Sequence, residues 1–256
     1  MRTPPVSPCC PRTTATNAPD GCVRTEPITD RNTSGNEQRE TALNVPALSA
    51  GTKPSGAAEL TRFAAVAAAV DTAALTAQLA RRRQALAERP GDVYDRADEV
   101  AQVYARWFAT YDIICPLPGQ IAAARRKGLP AIGPAVDALL YGELTTGVLM
   151  GVQDAEAVDG GLHFDWAAQG ETFTGFRSTV TCSQDEPVVR DATGIVASVP
   201  QGPDRRTSVT KSSRHLVFTV YDAPGLDIRD FDTGVRVLTD LLRETGSVPD
   251  VQEVVL

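Results

Sequence analysis

Long apolar runs are missing from this chain of 256 residues. None approaches the roughly 20 residues that a transmembrane helix needs, so no membrane span is expected. The opening residues, Met1-Arg2-Thr3-Pro4-Pro5, lack the apolar stretch of a secretory signal, and a cytoplasmic location is the expectation. Histidine is scarce: only His163 and His215 occur. A metal site or catalytic dyad built on histidine has little to draw on, and neither a metal nor a cofactor is expected. The five cysteines are odd in number, which argues against a disulfide framework. Cys9, Cys10 and Cys22 have no histidine nearby and make a poor zinc set. Cys115 and Cys182 read as small buried hydrophobes. No Gly-rich phosphate loop, no GxSxG elbow and no internal repeat appear. Basic excess is also missing. The net charge is −7 and the pI is near 4.9, an awkward balance for a nucleic-acid binder, although a local basic patch stays open.

The remaining composition is that of an ordinary globular protein, with 42% hydrophobic and 22% charged residues. Met1 to Gly56 is the exception. It is rich in Pro, Thr, Ser, Asn and Gly and poor in large apolar residues, and it reads as a disordered extension. Residues 57–256 read as one domain. Ala57 to Arg89 is alanine-rich and helix-forming, with Asp71 as an N-cap that divides it. Arg81, Arg82 and Arg83 read as a solvated helix face. Pro90–Gly91 ends that helix, and Asp95 to Thr110 forms another with Val100, Val103, Tyr104 and Trp107 on one face. Gln120 to Lys127 is a short helix. Its Arg125, Arg126 and Lys127 are candidate phosphate contacts.

The stretch from Lys127 to Asp154, KGLPAIGPAVDALLYGELTTGVLMGVQD, organises the rest. Pro130 stops the preceding helix, and Pro134 suits the first turn of the next. Ala135, Val136, Leu139 and Leu140 give that helix an apolar face. Asp137 interrupts the apolar run, as an exposed helix residue or as a buried, partnered carboxylate. Beyond this point the period becomes strand-like. Val148–Val152, Leu162–Ala167, Glu171–Phe176, Pro187–Arg190, Ile195–Val199 and Leu216–Tyr221 read as strands. Asp227 to Thr245 closes as an amphipathic helix, and Val251 to Leu256 either adds an edge strand or trails off. Helices first and strands after imply an α+β fold: a helical N-terminal part, then a mixed, largely antiparallel sheet with packed helices.

GLP-x-I-x-P-x-VD followed by a run ending Gly-x-x-D resembles the editing domain of the bacterial phenylalanyl-tRNA synthetase beta subunit, and more closely the free-standing proteins built from it. Gly170–Glu171 with Phe173, Glu186 to Ala192 with Gly194–Ile195, and Asp204, Arg206, Thr207 and Thr210 continue the likeness in register. It spans Tyr104 to Leu226. The resemblance implies recognition of an amino acid esterified to tRNA, with trans-editing, the hydrolysis of mischarged aminoacyl-tRNA, as the enzymatic form. It implies a substrate site of Asp137, Arg206, Thr207 and Thr210, with His215 just beyond the loop. Arg205 joins the candidate phosphate contacts. Arg206 either pairs with Asp137 or holds a ligand carboxylate or phosphate. The chain departs from the family's catalytic pattern. Met150, Gly151 and Val152 stand where the synthetase has a histidine, and Phe218, Thr219 and Val220 where it has a strand glutamate. No catalytic residue is therefore assigned. The alternatives are a non-catalytic module binding a free amino acid or a partner protein, and an amino-acid tailoring enzyme of a biosynthetic pathway.

Overall fold

The computed structural model describes residues 46–88 and 91–256. The disorder expected of residues 1–45, the cysteines within them and the helix stop at Pro90 lie outside the described residues. Inside them the fold is α+β. In chain order the elements are β1 (Leu48–Ala50), β2 (Arg62–Ala69), α1 (Thr72–Glu88), α2 (Gly91–Phe108), a 3-10 turn (Ala109–Tyr111), α3 (Leu117–Lys127), α4 (Pro134–Thr146), β3 (Met150–Asp154), β4 (Leu162–Trp166), β5 (Thr172–Thr174), β6 (Thr179–Thr181), β7 (Pro187–Asp191), β8 (Gly194–Ser198), β9 (Gly202–Pro203), β10 (His215–Tyr221), α5 (Ile228–Arg243) and β11 (Asp250–Val255).

The strands form two main sheets. One has the order β11-β2-β10-β3 and is antiparallel throughout. The other runs β1-β4-β7-β8-β9, antiparallel except for the parallel pair β1–β4. A separate hairpin, β5–β6, stands beside the second sheet over a small core of Phe173, Cys182, Val188 and Ile195.

Strand alternation gives the four-stranded sheet two different faces. Met150, Val152, Leu216, Phe218 and Val220 point one way. The Met150 end of β3 lies against α4 and α5, since a methyl on Gly142 would fall 2.8 Å from its Sδ and one on Gly234 3.2 Å from its Cε. The opposite face carries Phe63, Gly151, Gln153, Thr219 and Tyr221 and looks toward the second sheet. Phe63 bridges the two sheets, 5.2 Å from the Phe164 ring and stacked 5.8 Å from Tyr221. No helix among the described residues is long and apolar enough to cross a membrane.

Two expectations are corrected here. Leu48–Ala50 lies within the stretch expected to be disordered, yet it pairs with Leu162–Phe164 and its Leu48 N–H bonds the Gln252 side chain at 3.1 Å. A few apolar residues suffice because β4 and β11 supply the hydrogen-bonding template. Arg62–Ala69 was expected to be helical from its alanine content but forms β2, with Phe63 to Ala68 all buried. Helix propensity favours alanine by only tenths of a kcal/mol per residue, and pairing on both sides with β10 and β11 outweighs it. Small side chains there let the layers on either side approach closely.

Elsewhere the local chemistry explains the boundaries. Asp71 caps α1, accepting from the N–H groups of Ala73 at 2.8 Å and Ala74 at 3.1 Å. Pro134 opens α4 as its first residue, and Gly147 closes it at φ 74° with its N–H on the Glu143 carbonyl. Gly147 also lies against α2: a methyl there would sit 2.1 Å from the Ala97 carbonyl oxygen. Both the left-handed backbone and the close approach require glycine. Gly147→Ala is expected to destabilise the protein by more than about 3 kcal/mol, read as a shift in the urea midpoint.

Candidate functional site

The residues singled out from the sequence do not gather at one place. Asp137 is buried in the first turn of α4, and its partner is Arg83 of α1, at 2.5 Å, not Arg206. Its other oxygen accepts from the N–H groups of Ile132 at 2.7 Å and Gly133 at 3.2 Å. Arg83 also donates to the Pro130 carbonyl at 2.7 Å, so the basic face of α1 is partly structural rather than simply solvated. Asp137 therefore fixes the entry of α4. Arg206 reaches the other way and clamps Asp191 through two hydrogen bonds, of 2.8 and 2.9 Å. Burial pushes the Asp191 carboxyl up, but Arg206 and the N–H groups of Asp159 and Thr193 outweigh it and hold the group at about 2.

Thr207 is fully buried, and its carbonyl accepts from Asp154 N–H at 2.8 Å. Thr210 is exposed and bonds within its own turn, to Ser212 and Ser213. It lines a separate hollow of about 240 Å³ at the start of α4. His215 places Nδ1 3.0 Å from the Glu156 carboxylate. Arg125 pairs with Asp95 at 2.7 Å, and Arg126 and Lys127 are exposed on the same last turn of α3. Arg205 is exposed beside a shallow depression shared with Thr174.

A different set of residues forms an enclosed pocket of about 330 Å³ where the two sheets meet. It lies between β3, the edge of one sheet, and the β8–β9 edge of the other. Val136 and Leu139 of α4 form one wall, and Leu149 to Gln153 of β3 form the next. Val199 to Pro203 close the far side, with Ser208 and Val209 below. Phe176, at the tip of the β5–β6 hairpin, lines the mouth while remaining 65% exposed. The helix and the charged loop thus both reach the pocket, but through their apolar and small residues and not through Asp137 or Arg206.

The far wall is held by a buried carboxylate. Glu186 accepts from Ser183 N–H at 2.9 Å, from Gln201 Nε2 at 2.8 Å and from the Ser198 hydroxyl. Ser198 in turn accepts from Gln201 N–H at 3.1 Å. A buried charge with this many donors is satisfied and rigid, so the Val199–Pro203 turn is fixed before any ligand arrives.

The floor is polar and uncharged. Gly151, Gln153 and Tyr221 line it, and Thr219 lies behind them with its hydroxyl 2.7 Å from that of Tyr221. Burial pushes the Tyr221 phenol up to about 12, so it stays protonated. Gln153 is fully buried, and neither its Nε2 nor its Oε1 has a hydrogen-bond partner. Among the described residues that line the pocket there is no histidine, carboxylate, lysine or arginine.

These features define a compact α+β domain with a preformed, neutral, mostly apolar ligand pocket. The chain belongs to the B3/4 domain family, which matches residues 101–243. Among solved structures it is similar to an N-terminal fragment of the phenylalanyl-tRNA synthetase beta-subunit from Pyrococcus horikoshii, with 12% identity and a TM-score of 0.43. That match covers 83% of this chain and 54% of the other, so the chain spans about half the length of that structure. A comparison with curated proteins finds no match.

Sequence reasoning missed Gln153, Thr219 and Tyr221. The signal was the placement of polar groups within strands otherwise rich in apolar residues, in Met-Gly-Val-Gln and in Phe-Thr-Val-Tyr. It also missed Glu143, the buried carboxyl beneath β3 that accepts from Met150 N–H at 2.9 Å.

Two measurements probe these groups. Arg206→Ala would leave the Asp191 carboxylate, whose side chain is wholly buried, without its cation. It is expected to cost about 1–3 kcal/mol in urea unfolding, with ligand affinity unchanged. Burial pushes the Glu143 carboxyl from 4.5 to about 8, against the opposing Met150 hydrogen bond. Below pH 4.5 the folded and unfolded chains both hold this proton. Between 4.5 and 8 only the folded chain keeps it, so its contribution to stability falls as pH rises and then levels off. The full difference amounts to about 5 kcal/mol. Glu143→Gln keeps an acceptor for Met150 and removes the titration. Its excess stability over the parent should grow from pH 5 to pH 8, measured by denaturation at each pH.

Proposed function

We propose that this domain recognises the aminoacyl end of a charged tRNA, taking the amino-acid side chain into the pocket between α4 and β3. The observation that supports this reading is the uncharged lining. A free amino acid carries a carboxylate, and burying one without a cationic partner is costly. An aminoacyl ester has lost that charge and presents a side chain to apolar walls and a polar floor. Family membership and the sequence resemblance point to the same ligand class.

In this reading the chain is a binding module rather than a hydrolase. Ester hydrolysis needs a group that positions and deprotonates water. Met150, Gly151 and Val152 occupy the stretch where such a histidine would be expected, and the lining offers no substitute base. The acidic net charge limits phosphate contacts, so recognition rests on the esterified amino acid and the terminal nucleotide at the mouth. The role places the protein in the cytoplasm.

The test compares binding of a panel of aminoacyl-tRNAs with binding of the same tRNAs after deacylation, while following release of the amino acid. At least one charged tRNA should bind more than about tenfold tighter than its uncharged form, a difference of about 1.4 kcal/mol, with release at the spontaneous rate. Equal binding of charged and uncharged tRNA would remove the proposal. Release above the spontaneous rate would convert it to trans-editing.

A further inference from the structure

The pocket floor carries a chemical signature of its own. A buried glutamine with both halves of its amide unpaired is rare in a folded protein. Gln153 is in that position, at the bottom of a pocket already open to a ligand. The space beside it is created by Gly151: a methyl there would fall 2.6 Å from the Thr219 hydroxyl and 2.9 Å from that of Tyr221. The Tyr221 oxygen accepts from Thr219, which leaves its own proton free to donate.

We infer that the ligand group buried against this floor is a primary carboxamide, paired edge to edge with the amide of Gln153. The inference rests on the reading that the pocket takes an aminoacyl side chain, and it names the class of that side chain. The edge of an amide presents an N–H and a carbonyl side by side, pointing in nearly parallel directions. A second carboxamide has its carbonyl and N–H at the same spacing in the opposite order, so two hydrogen bonds form together. One hydroxyl oxygen cannot align with both groups at once. A carboxylate offers two acceptors and would set one of them against the Gln153 carbonyl, with no cation nearby. A hydrocarbon leaves both groups unmet. The apolar walls formed by Val136, Leu139 and Val152 suit the methylene stem of such a side chain. The Tyr221 proton can add a third bond, to the ligand carbonyl.

The experiment uses the full chain and measures, by calorimetry, the affinity for methyl esters of asparagine and glutamine. Their hydrocarbon counterparts are the esters of leucine and homoleucine, in which a methyl replaces each amide N and O. Tyrosine methyl ester and butanamide complete the set. One of the two carboxamide esters should bind at least about a hundredfold tighter than its hydrocarbon counterpart, since a site built around buried polar groups rejects analogues that leave them unpaired. Gln153→Leu should reverse that order and melt no lower than the parent, because it removes an unpaired buried amide. A hydrocarbon or tyrosine ester that outranks both amides would overturn the inference, as would a Gln153→Leu variant that keeps the parent's preference. If no ester binds but butanamide does, and only with Gln153 present, the carboxamide site stands and the aminoacyl reading falls. If nothing in the set binds, both fall.

Discussion

The junction of α4 with β3 is the constraint on which the pocket depends. Three attachments fix it. Asp137 ties the start of α4 to Arg83 and to the N–H groups of Ile132 and Gly133. Gly147 ends the helix against α2, at a contact where no side chain fits. Glu143, between them, sends its carboxyl across to the first N–H of β3. The last is a neutral acid held in a dry place, so it positions the strand without demanding a counter-ion. β3 is an edge strand, paired only with β10 among the strands of its sheet. Without the helix behind it, nothing would hold that edge at a fixed distance from the β8–β9 turn. The pocket is the gap this spacing leaves.

A second fixed body faces it. The Val199–Pro203 turn is anchored from beneath by Glu186, whose oxygens meet donors from Ser183, Ser198 and Gln201. The Arg206–Asp191 clamp joins the charged loop to the turn region between β7 and β8. Both walls are therefore set by buried carboxylates whose environments differ sharply. Glu143 is kept protonated by burial alone, whereas Asp191 is kept ionised by a guanidinium and several amides. The same residue class serves as a neutral acceptor in one place and as an anion in the other.

The strands after residue 148 were legible because their apolar runs end at clear turn signals, and the caps at Asp71 and Pro134 were legible because capping is local chemistry. The identity of β2 was not. Its alanines carry a helical preference, and only the presence of β10 and β11 on either side makes it a strand. β1 was hidden for the same reason, since its partner lies more than a hundred residues away in the chain. The site was the least legible part. Charged residues draw attention in a sequence, and here Asp137 and Arg206 are spent on holding the fold together. The pocket is made by glycine, glutamine, tyrosine and aliphatic residues, whose roles exist only once strand register places them on one face.

The central position of β2 also sets the order of assembly. Its hydrogen-bonding partners are β10 and β11, the last strands in the chain. A ribosome releases β2 early and its neighbours at the end, so the middle of this sheet stays open throughout synthesis. Closing it requires a loop of well over a hundred residues, a connection that slows folding and leaves the run Phe63 to Ala68 uncovered meanwhile. Its alanine content lowers the hazard: small side chains give a waiting strand little to aggregate with, and their helical tendency gives it a harmless shape in the interim. The composition that disguises the strand in the sequence suits it to arriving first and docking last.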